Sequence, residues 1–511
     1  VQQSHAQEIN LNAFTLGTQE EINAQIGGSW TEITDGSTSG SPDPRHETAF
    51  VMAGGKFYLI VGREQTTIDI YDPATMTWTN GPASPIDPTP MHHFQPIVVD
   101  GLIFAVMAYT GTCCREMEVG ATNVYLYDPV INEWLTGPSI PEARRRGSTG
   151  VVQYEDTLYI LGGLQFGHGQ NTTVSYNLFD AYNPYTNAWE VLPDMPRNRD
   201  HFGAAIVGDQ IYAAGGRDTG MNNGFQGVTT GKVDVFDISD GQWTTLDDEM
   251  PTQRGGTATA VLGADVFVIG GERSDASQAF DTVEALDTGT SQWQTAPSLN
   301  NRRHGTTAAV CNGTIWIAGG SPVRGGGKMI NIEQYHPISP TECNVEEITA
   351  SSLSATAGNL GTILPDETLS ERVSVDASGG NQAVYVSDIR LENNASGTFA
   401  IDDAPNQGII IAPDGSIAVD ITYTPNGEGE NTADLVIETP QKDNNFVVTI
   451  SAAAEIPDID LDDNNDITPS DVLYVINRLI NQDRSADVNS DGTVDNADVQ
   501  AVLDRLGEAF P

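Results

Sequence analysis

Lysine is nearly absent from this chain. Lys56, Lys232, Lys328 and Lys442 are the only four in 511 residues, and 23 Lys+Arg stand against 70 Asp+Glu, for a formal net charge of −47. So few cations argue against nucleic acid as a partner, because neutralising phosphates needs clustered Lys and Arg. Long apolar runs are missing too. The longest are strand-sized, too short for a membrane-spanning helix. No charged-then-apolar leader opens the chain at Val1, so any secretion signal is expected to have been removed already. Cysteine is scarce, at four residues, and agrees weakly with an oxidising compartment. With 52 Gly, 27 Pro and 39% hydrophobic residues, the chain reads as turn-rich and globular. At about 150 residues per domain, the length suggests about three domains.

The acidity is uneven. Residues 1–340 hold 38 acidic and 17 basic residues, and the remaining 171 hold 32 and 6. Such a surface repels its own copies and anionic membranes. It suits a salty or calcium-containing exterior, at a bacterial surface or beyond it.

Tryptophan marks a period. Trp30, Trp78, Trp134, Trp189, Trp243 and Trp293 are 48, 56, 55, 54 and 50 residues apart. An apolar strand ending in Gly-Gly precedes several of them, at Gly162-Gly163, Gly215-Gly216, Gly270-Gly271 and Gly319-Gly320. A second strand ends in Tyr71-Asp72-Pro73, Tyr127-Asp128-Pro129, Tyr182-Asn183-Pro184 or Tyr335-His336-Pro337. Short strands with Gly and Asx-Pro turns predict four-stranded antiparallel units. One such sheet cannot bury both faces, so the units must pack radially. Over roughly residues 29–340 this pattern resembles the kelch family of β-propellers. The count of units implies six blades. The sixth unit lacks its own tryptophan, so residues near Trp30–Ile33 are expected to supply its outer strand and leave no open edge.

Sixteen residues before the first position of each Gly pair stand Arg45, Met91, Arg146, Arg199, Arg254 and Arg303. Arg63, Arg115, Arg217, Arg273 and Arg324 follow the Gly-Gly strands. His46, His92, His93, His201 and His304 lie close by in sequence. Two readings stand side by side. The arginines line a funnel for an anionic ligand such as an acidic glycan, since their forks suit carboxylate and sulfate; or they satisfy carbonyls and carboxylates inside the blades. The candidate ligand-binding set is Arg45, His46, His92, His93, Arg146, Arg199, His201, Arg217, Arg254, Arg303 and His304. The histidines also suit a metal or acid–base chemistry. Loops 108–122, 164–177 and 217–231 are long and are candidate binding loops.

Adjacent Cys113 and Cys114 can close a vicinal disulfide, stay free or bridge to another chain. Of the three pairings open to four cysteines, 113–114 with 311–343 is the expected one. Cys311 and Cys343 would pin the end of the propeller.

Residues 345–455 lose the Gly-Gly and Trp marks and keep short alternating strands, which predicts a β-sandwich. Phe399-Ala400-Ile401, then Val419 to Pro425, then Ala433 to Ile437 resemble the immunoglobulin-like modules of bacterial surface proteins. That resemblance implies a spacer or adhesion role.

The acidic tail carries a sharper signal. Calcium takes six to eight oxygens, which a twelve-residue loop supplies at positions 1, 3, 5, 7, 9 and 12. In residues 487–498 these are Asp487, Asn489, Asp491, the Thr493 carbonyl, Asp495 and Asp498, with Gly492 at the sharp turn. In residues 460–471 they are Asp460, Asp462, Asn464, the Asp466 carbonyl, Thr468 and Asp471. An amphipathic segment follows each loop. Over about residues 457–508 the two loop–helix units resemble a type I dockerin. This implies two calcium ions and a cohesin-like or other surface-protein partner. Loop positions 10 and 11, which often set partner choice in that family, are Pro469-Ser470 and Asn496-Ala497, unlike the Ser-Thr pair of many members.

The expected architecture is therefore mainly β: an N-terminal arm (1–28), a six-bladed kelch propeller (29–340), an immunoglobulin-like sandwich (345–455) and a small α-helical dockerin-like calcium module (457–511). The expected function is extracellular binding or scaffolding, with homopolymer assembly through the arm as a variant. The alternative is a dockerin-borne carbohydrate-active enzyme on acidic sugars, similar to a sialate mutarotase or sialidase. The sialidase box is incomplete, since Ser239-Asp240-Gly241-Gln242-Trp243 lacks the spacing. No catalytic residue is assigned.

Overall fold

Each fifty-residue unit folds as a four-stranded antiparallel sheet, and six such sheets occur between residues 29 and 336. The computed structural model describes residues 26–34, 40–112, 118–168, 173–219, 227–338, 343–356, 358–365, 367–441, 445–455 and, beyond them, 468–469, 472–473, 475–476, 487–489, 493 and 495–504. Two compact units are present: Val1–Pro184 with Ala188–Ile348, and Tyr185–Asn187 with Thr349–Pro511.

In the first unit the inner strands are Ala49–Ala53, Ile97–Val99, Gly150–Tyr154, Ala204–Val207, Ala258–Leu262 and Ala308–Cys311. Each touches the next and the last touches the first, so the six form a closed ring. The sixth sheet takes its outer strand from the other end of the unit. Ser29–Thr34 pairs with Ile332–His336, and Trp30 sits opposite Tyr335. The same cross-strand pair joins Tyr71 to Trp78, Tyr127 to Trp134 and Tyr182 to Trp189. Their ring centroids lie 5.5, 5.1, 5.7 and 4.5 Å apart, in the order starting with Trp30. Aromatic pairs of this kind stabilise a sheet beyond their buried area. The turn between the two strands is fixed by an aspartate that accepts an amide two residues on. Asp72, Asp128, Asp237 and Asp287 do so at 2.8–2.9 Å.

The five recurrent arginines are fully buried. Each donates to carbonyls of its own sheet and pairs with an acid on the third strand: Arg45 with Asp69, Arg146 with Asp180, Arg199 with Asp234, Arg254 with Glu284 and Arg303 with Glu333. Arg254 also reaches Gly270 O at 2.6 Å, Thr252 O at 2.7 Å and Val268 O at 2.8 Å. Each guanidinium thus ties three strands of one sheet, and its charge is matched where it sits. The funnel-facing reading of Arg45, Arg146, Arg199, Arg254 and Arg303 is corrected accordingly, because a side chain closed on its own sheet presents nothing to a ligand. The second sheet carries Met91 in place of the arginine and Tyr125 in place of the acid, both buried. Replacing both partners of a buried pair by packed apolar groups leaves no orphaned charge.

Cys311 and Cys343 form a disulfide with Cα atoms 5.4 Å apart. Cys113, Cys114 and residues 1–25 of the expected arm lie outside the described residues. From Ile26 onward the chain already packs on the first unit, with Ile26 against the core that contains Trp30 and Tyr335.

In the second unit two four-stranded sheets share one apolar core. One orders Ser352–Ala355, Leu369–Ser378, Ser416–Tyr423 and Phe399–Asp403; the other orders Asn359–Ile363, Phe446–Ala454, Gly429–Glu438 and Asp388–Glu392. Val373, Val375, Val419 and Ile421 from the first meet Leu435, Ile437 and Ile450 from the second. The helix Asn496–Asp504 follows, with Val475, Val488 and Val502 packed together.

The buried pairs give a test. Arg254→Met alone strands Glu284 and should cost about 3–5 kcal/mol in urea unfolding. The double variant Arg254→Met/Glu284→Tyr, which copies the second sheet, should recover at least half of that loss. A double variant as unstable as the single one would show that the pair is not the unit of stability.

Candidate functional site

The residue two places after each recurrent position turns into the left-handed region. Glu47, His93, Ser148, His201, Gly256 and Gly305 have φ of 51, 57, 57, 55, 65 and 67°. Backbone hydrogen bonds run from one of these positions to the next. His93 N donates to Glu47 O (3.2 Å), Ser148 N to His93 O (2.7 Å), His201 N to Ser148 O (3.2 Å), Gly256 N to His201 O (2.7 Å) and Gly305 N to Gly256 O (3.0 Å). Thr48 N closes the circle on Gly305 O at 3.2 Å. The circle surrounds a channel lined by all six positions. Four positions bring a side chain there and two bring glycine, which leaves room.

Charged side chains converge on this circle. Glu118, from the hairpin of Tyr109–Thr110 and Val119–Gly120, accepts Arg63 Nη2 at 2.8 Å and His168 Nδ1 at 2.8 Å. His168 N also donates to it at 2.7 Å. Asp200 pairs with His201 Nδ1 and accepts Thr219 Oγ1 and Thr219 N, both at 2.9 Å. Glu272 accepts Arg217 Nη1 at 2.7 Å and the Gly325 amide at 2.7 Å. His304 Nε2 lies 3.4 Å from Glu272 and 3.8 Å from Glu47. His92 and His93 meet through their Nδ1 atoms, and His92 Nε2 reaches Gly111 O at 2.9 Å. All of these side chains are buried.

Burial acts first on the titrations. It holds His46 and His92 down at about 4 and pushes His93 well below the ordinary imidazole value. His201 is likewise lowered to about 4, by burial and Arg217 against the pull of Asp200. For Glu47 and Glu118 burial alone would raise the carboxyl, and the surrounding His and Arg groups more than reverse it. Burial thus favours neutral imidazoles at His46, His92, His93 and His201, beside carboxylates held in the ionised form. Such a set can move protons, and its nitrogens can ligate a metal.

Of the expected propeller-face residues, His46, His92, His93, His201, Arg217 and His304 do gather here, and the five recurrent arginines do not. Glu47, Arg63, Glu118, His168, Asp200 and Glu272 complete the cluster. Arg273 and Arg324 stay at the exposed surface, Arg273 beside Asp275 at 2.6 Å. Arg115 lies outside the described residues. His168 was legible only as the one histidine in the long loops after the Gly-Gly strands. Glu47 and Asp200 were legible as neighbours, at one or two places, of the recurrent arginines.

Within the tail, Asp498 is buried and gathers its loop. It accepts the amides of Asp495 (2.7 Å), Val488 (2.8 Å) and Asn489 (3.2 Å). Thr468, Asp487, Asn489, Thr493 and Asp495 are described; Asp460, Asp462, Asn464, Asp466, Asp471 and Asp491 lie outside the described residues. No helix among the described residues is long and apolar enough to cross a membrane.

A family model, the KLHDC2/KLHL20/DRC7 Kelch-repeats domain, matches residues 111–320. Kelch-like protein terF of Aspergillus terreus is 33% identical over 330 residues, 61% of this chain and 69% of that protein. Alpha-scruin of Limulus polyphemus is 25% identical over 253 residues, which span 47% of this chain and about a quarter (26%) of that protein. The N-(sulfonatooxy)prop-2-enimidothioate sulfolyase of Thlaspi arvense is 26% identical over 283 residues, 50% of this chain and 79% of that enzyme. The solved structure of YjhT matches with a TM-score of 0.48 at 14% identity, over 57% of this chain and 95% of its own.

His46 supplies a pH test. Its folded value of about 4 lies below the ordinary unfolded value of about 6.5. Its contribution to stability is therefore full above about pH 6.5 and lost as pH falls toward about 4, with a slope of up to about 1.4 kcal/mol per pH unit. Thermal melting between pH 7 and 4 should show a shallower fall for His46→Gln than for the parent. Parallel curves would place the acid sensitivity elsewhere.

Proposed function

The chain belongs to the kelch-repeat β-propeller family, and from that premise we propose that it is a secreted or cell-surface binding and scaffold protein. One end of the propeller engages a protein or glycan, and the C-terminal module docks or assembles the chain through calcium. The observation that carries this reading is a set of three hairpins built beyond the sheets. They pair Tyr109–Thr110 with Val119–Gly120, Leu164–Gln165 with Val174–Ser175, and Arg217–Asp218 with Val228–Thr229. Each belongs to the connection after the second strand of its sheet, so all three project from the same end of the ring. Each carries an apolar side chain into solvent: Val119 is 41% exposed, Phe166 43% and Val228 59%. Exposed apolar groups on loops held by a rigid ring suit a partner surface.

For the tail, the donor set is the one calcium takes. Asp498 supports the reading, as a buried carboxylate at position 12 that already folds its loop toward itself. Two ions would be held by Asp460, Asp462, Asn464, Asp466, Thr468 and Asp471, and by Asp487, Asn489, Asp491, Thr493, Asp495 and Asp498. A cohesin-like or other surface protein is the proposed partner, and homopolymer assembly through residues 1–28 is a variant.

One observation favours a second reading. The channel holds more ionisable groups than a spacer needs, and one similar protein is by name a sulfolyase. In that reading the chain is a carbohydrate-active enzyme whose acidic-sugar substrate enters the channel past His93 and His201.

Binding of the full chain to arrayed glycans and extracellular proteins separates the two. Phe166→Asp and Val228→Asp should each weaken the captured partner about tenfold or more with unchanged melting. Undiminished binding by both variants, with turnover of acidic sugars lost in His201→Asn, would favour the enzyme. Millimolar chelator should lower the melting of the second unit by several degrees, and Asp498→Ala should remove that difference. Melting that ignores chelator would defeat the calcium assignment.

A further inference from the structure

His168 and His201 face each other across the channel end of the cluster. Glu118 takes the Nδ1–H of His168 at 2.8 Å, and Asp200 takes that of His201. Both rings therefore turn Nε2 inward, and the two Nε2 atoms stand 3.0 Å apart. With each Nδ1–H given to its carboxylate, the two Nε2 atoms hold lone pairs that face each other, and a proton or a metal ion between them satisfies both. Arg217 Nη2 also approaches His168 Nε2, at 3.5 Å. A third ring is at hand. A nitrogen of His93 lies within 4.8 Å of the other two ligand atoms. His93 Nε2 is buried, 3.2 Å from Glu47 Oε2, and makes no hydrogen bond.

We propose that His93, His168 and His201 form a binding site for a borderline divalent first-row metal ion, such as zinc, at the centre of the ring. Three imidazole nitrogens suit that class, and calcium and magnesium prefer oxygen. Metal–nitrogen bonds of about 2.0–2.1 Å put tetrahedral ligands about 3.3 Å apart, close to the His168–His201 separation. Glu118 and Asp200 would orient the ligand rings, as carboxylates commonly do behind ligating histidines. They are positioning residues. His93 and His201 also line the channel at the centre of the ring. Three protein ligands also leave a position for water or a small anionic ligand, as open metal sites do.

The test uses the untagged full chain, stripped with chelator and returned to saturating calcium so that the acidic tail is filled. Zinc is then added and removed by gel filtration, and retained metal is measured by mass spectrometry. One equivalent per chain is expected. His168→Asn/His201→Asn should lose it, Glu118→Gln should weaken it about 10–100-fold, and Asp498→Ala should retain it. Zinc-edge X-ray absorption of the parent chain should show imidazole nitrogen, which decides the matter even where a histidine variant fails to fold. Absence of retained zinc in the parent, equal retention by the double variant, or an all-oxygen edge spectrum would overturn the proposal.

Discussion

Everything around the axis depends on a circle of backbone hydrogen bonds handed from sheet to sheet. The circle needs left-handed backbone at six places, and four of them carry side chains: Glu47, His93, Ser148 and His201. Such residues cost of order 1–3 kcal/mol each unless their surroundings over-determine them. Here the neighbouring sheets do so. A residue held in this turn by its neighbours also has its side chain placed by them, and this is why the chemistry of the chain collects at the circle.

The recurrent arginines serve the same circle from one step back. Each fixes the entry of an inner strand to the end of the second strand and to an acid on the third. In the second sheet both partners are absent together, with Met91 and Tyr125 buried in their places. With the charge of each sheet satisfied internally, the remaining ionic groups at the centre answer to one another across sheets. Arg63, Glu118 and His168 come from three different units of the repeat, and Arg217 and Glu272 from two. The closing strand Ser29–Thr34 therefore bears on the centre as well as on the edge. If the ring opened, groups that belong to different sheets would have no fixed partners.

Much of the fold was legible because it is local. Tryptophan spacing, Tyr-Asp turns and Gly-Gly strand ends each report burial or a tight turn within a few residues. The missing tryptophan of the sixth unit and the spare Trp30 identified the strand that pairs with Ile332–His336. The position of the recurrent arginine was legible too. Its direction was not, because that depends on an acid about thirty residues later whose reach is set by how the third strand lies. His168 was silent for a related reason. It arrives on a loop, and nothing in its own sequence neighbourhood says that Glu118 and His201 wait for it.

By itself, then, the sequence determined the repeat, the number of tryptophan-marked units and the closing strand, since periodicity is a property of residues near one another in the chain. Only the tertiary structure decided that the arginines turn into the sheets while histidines and carboxylates from several sheets meet on the axis. Ring closure brings together residues more than a hundred positions apart, and whether a buried charge points inward or outward follows from which opposite charge closure sets beside it.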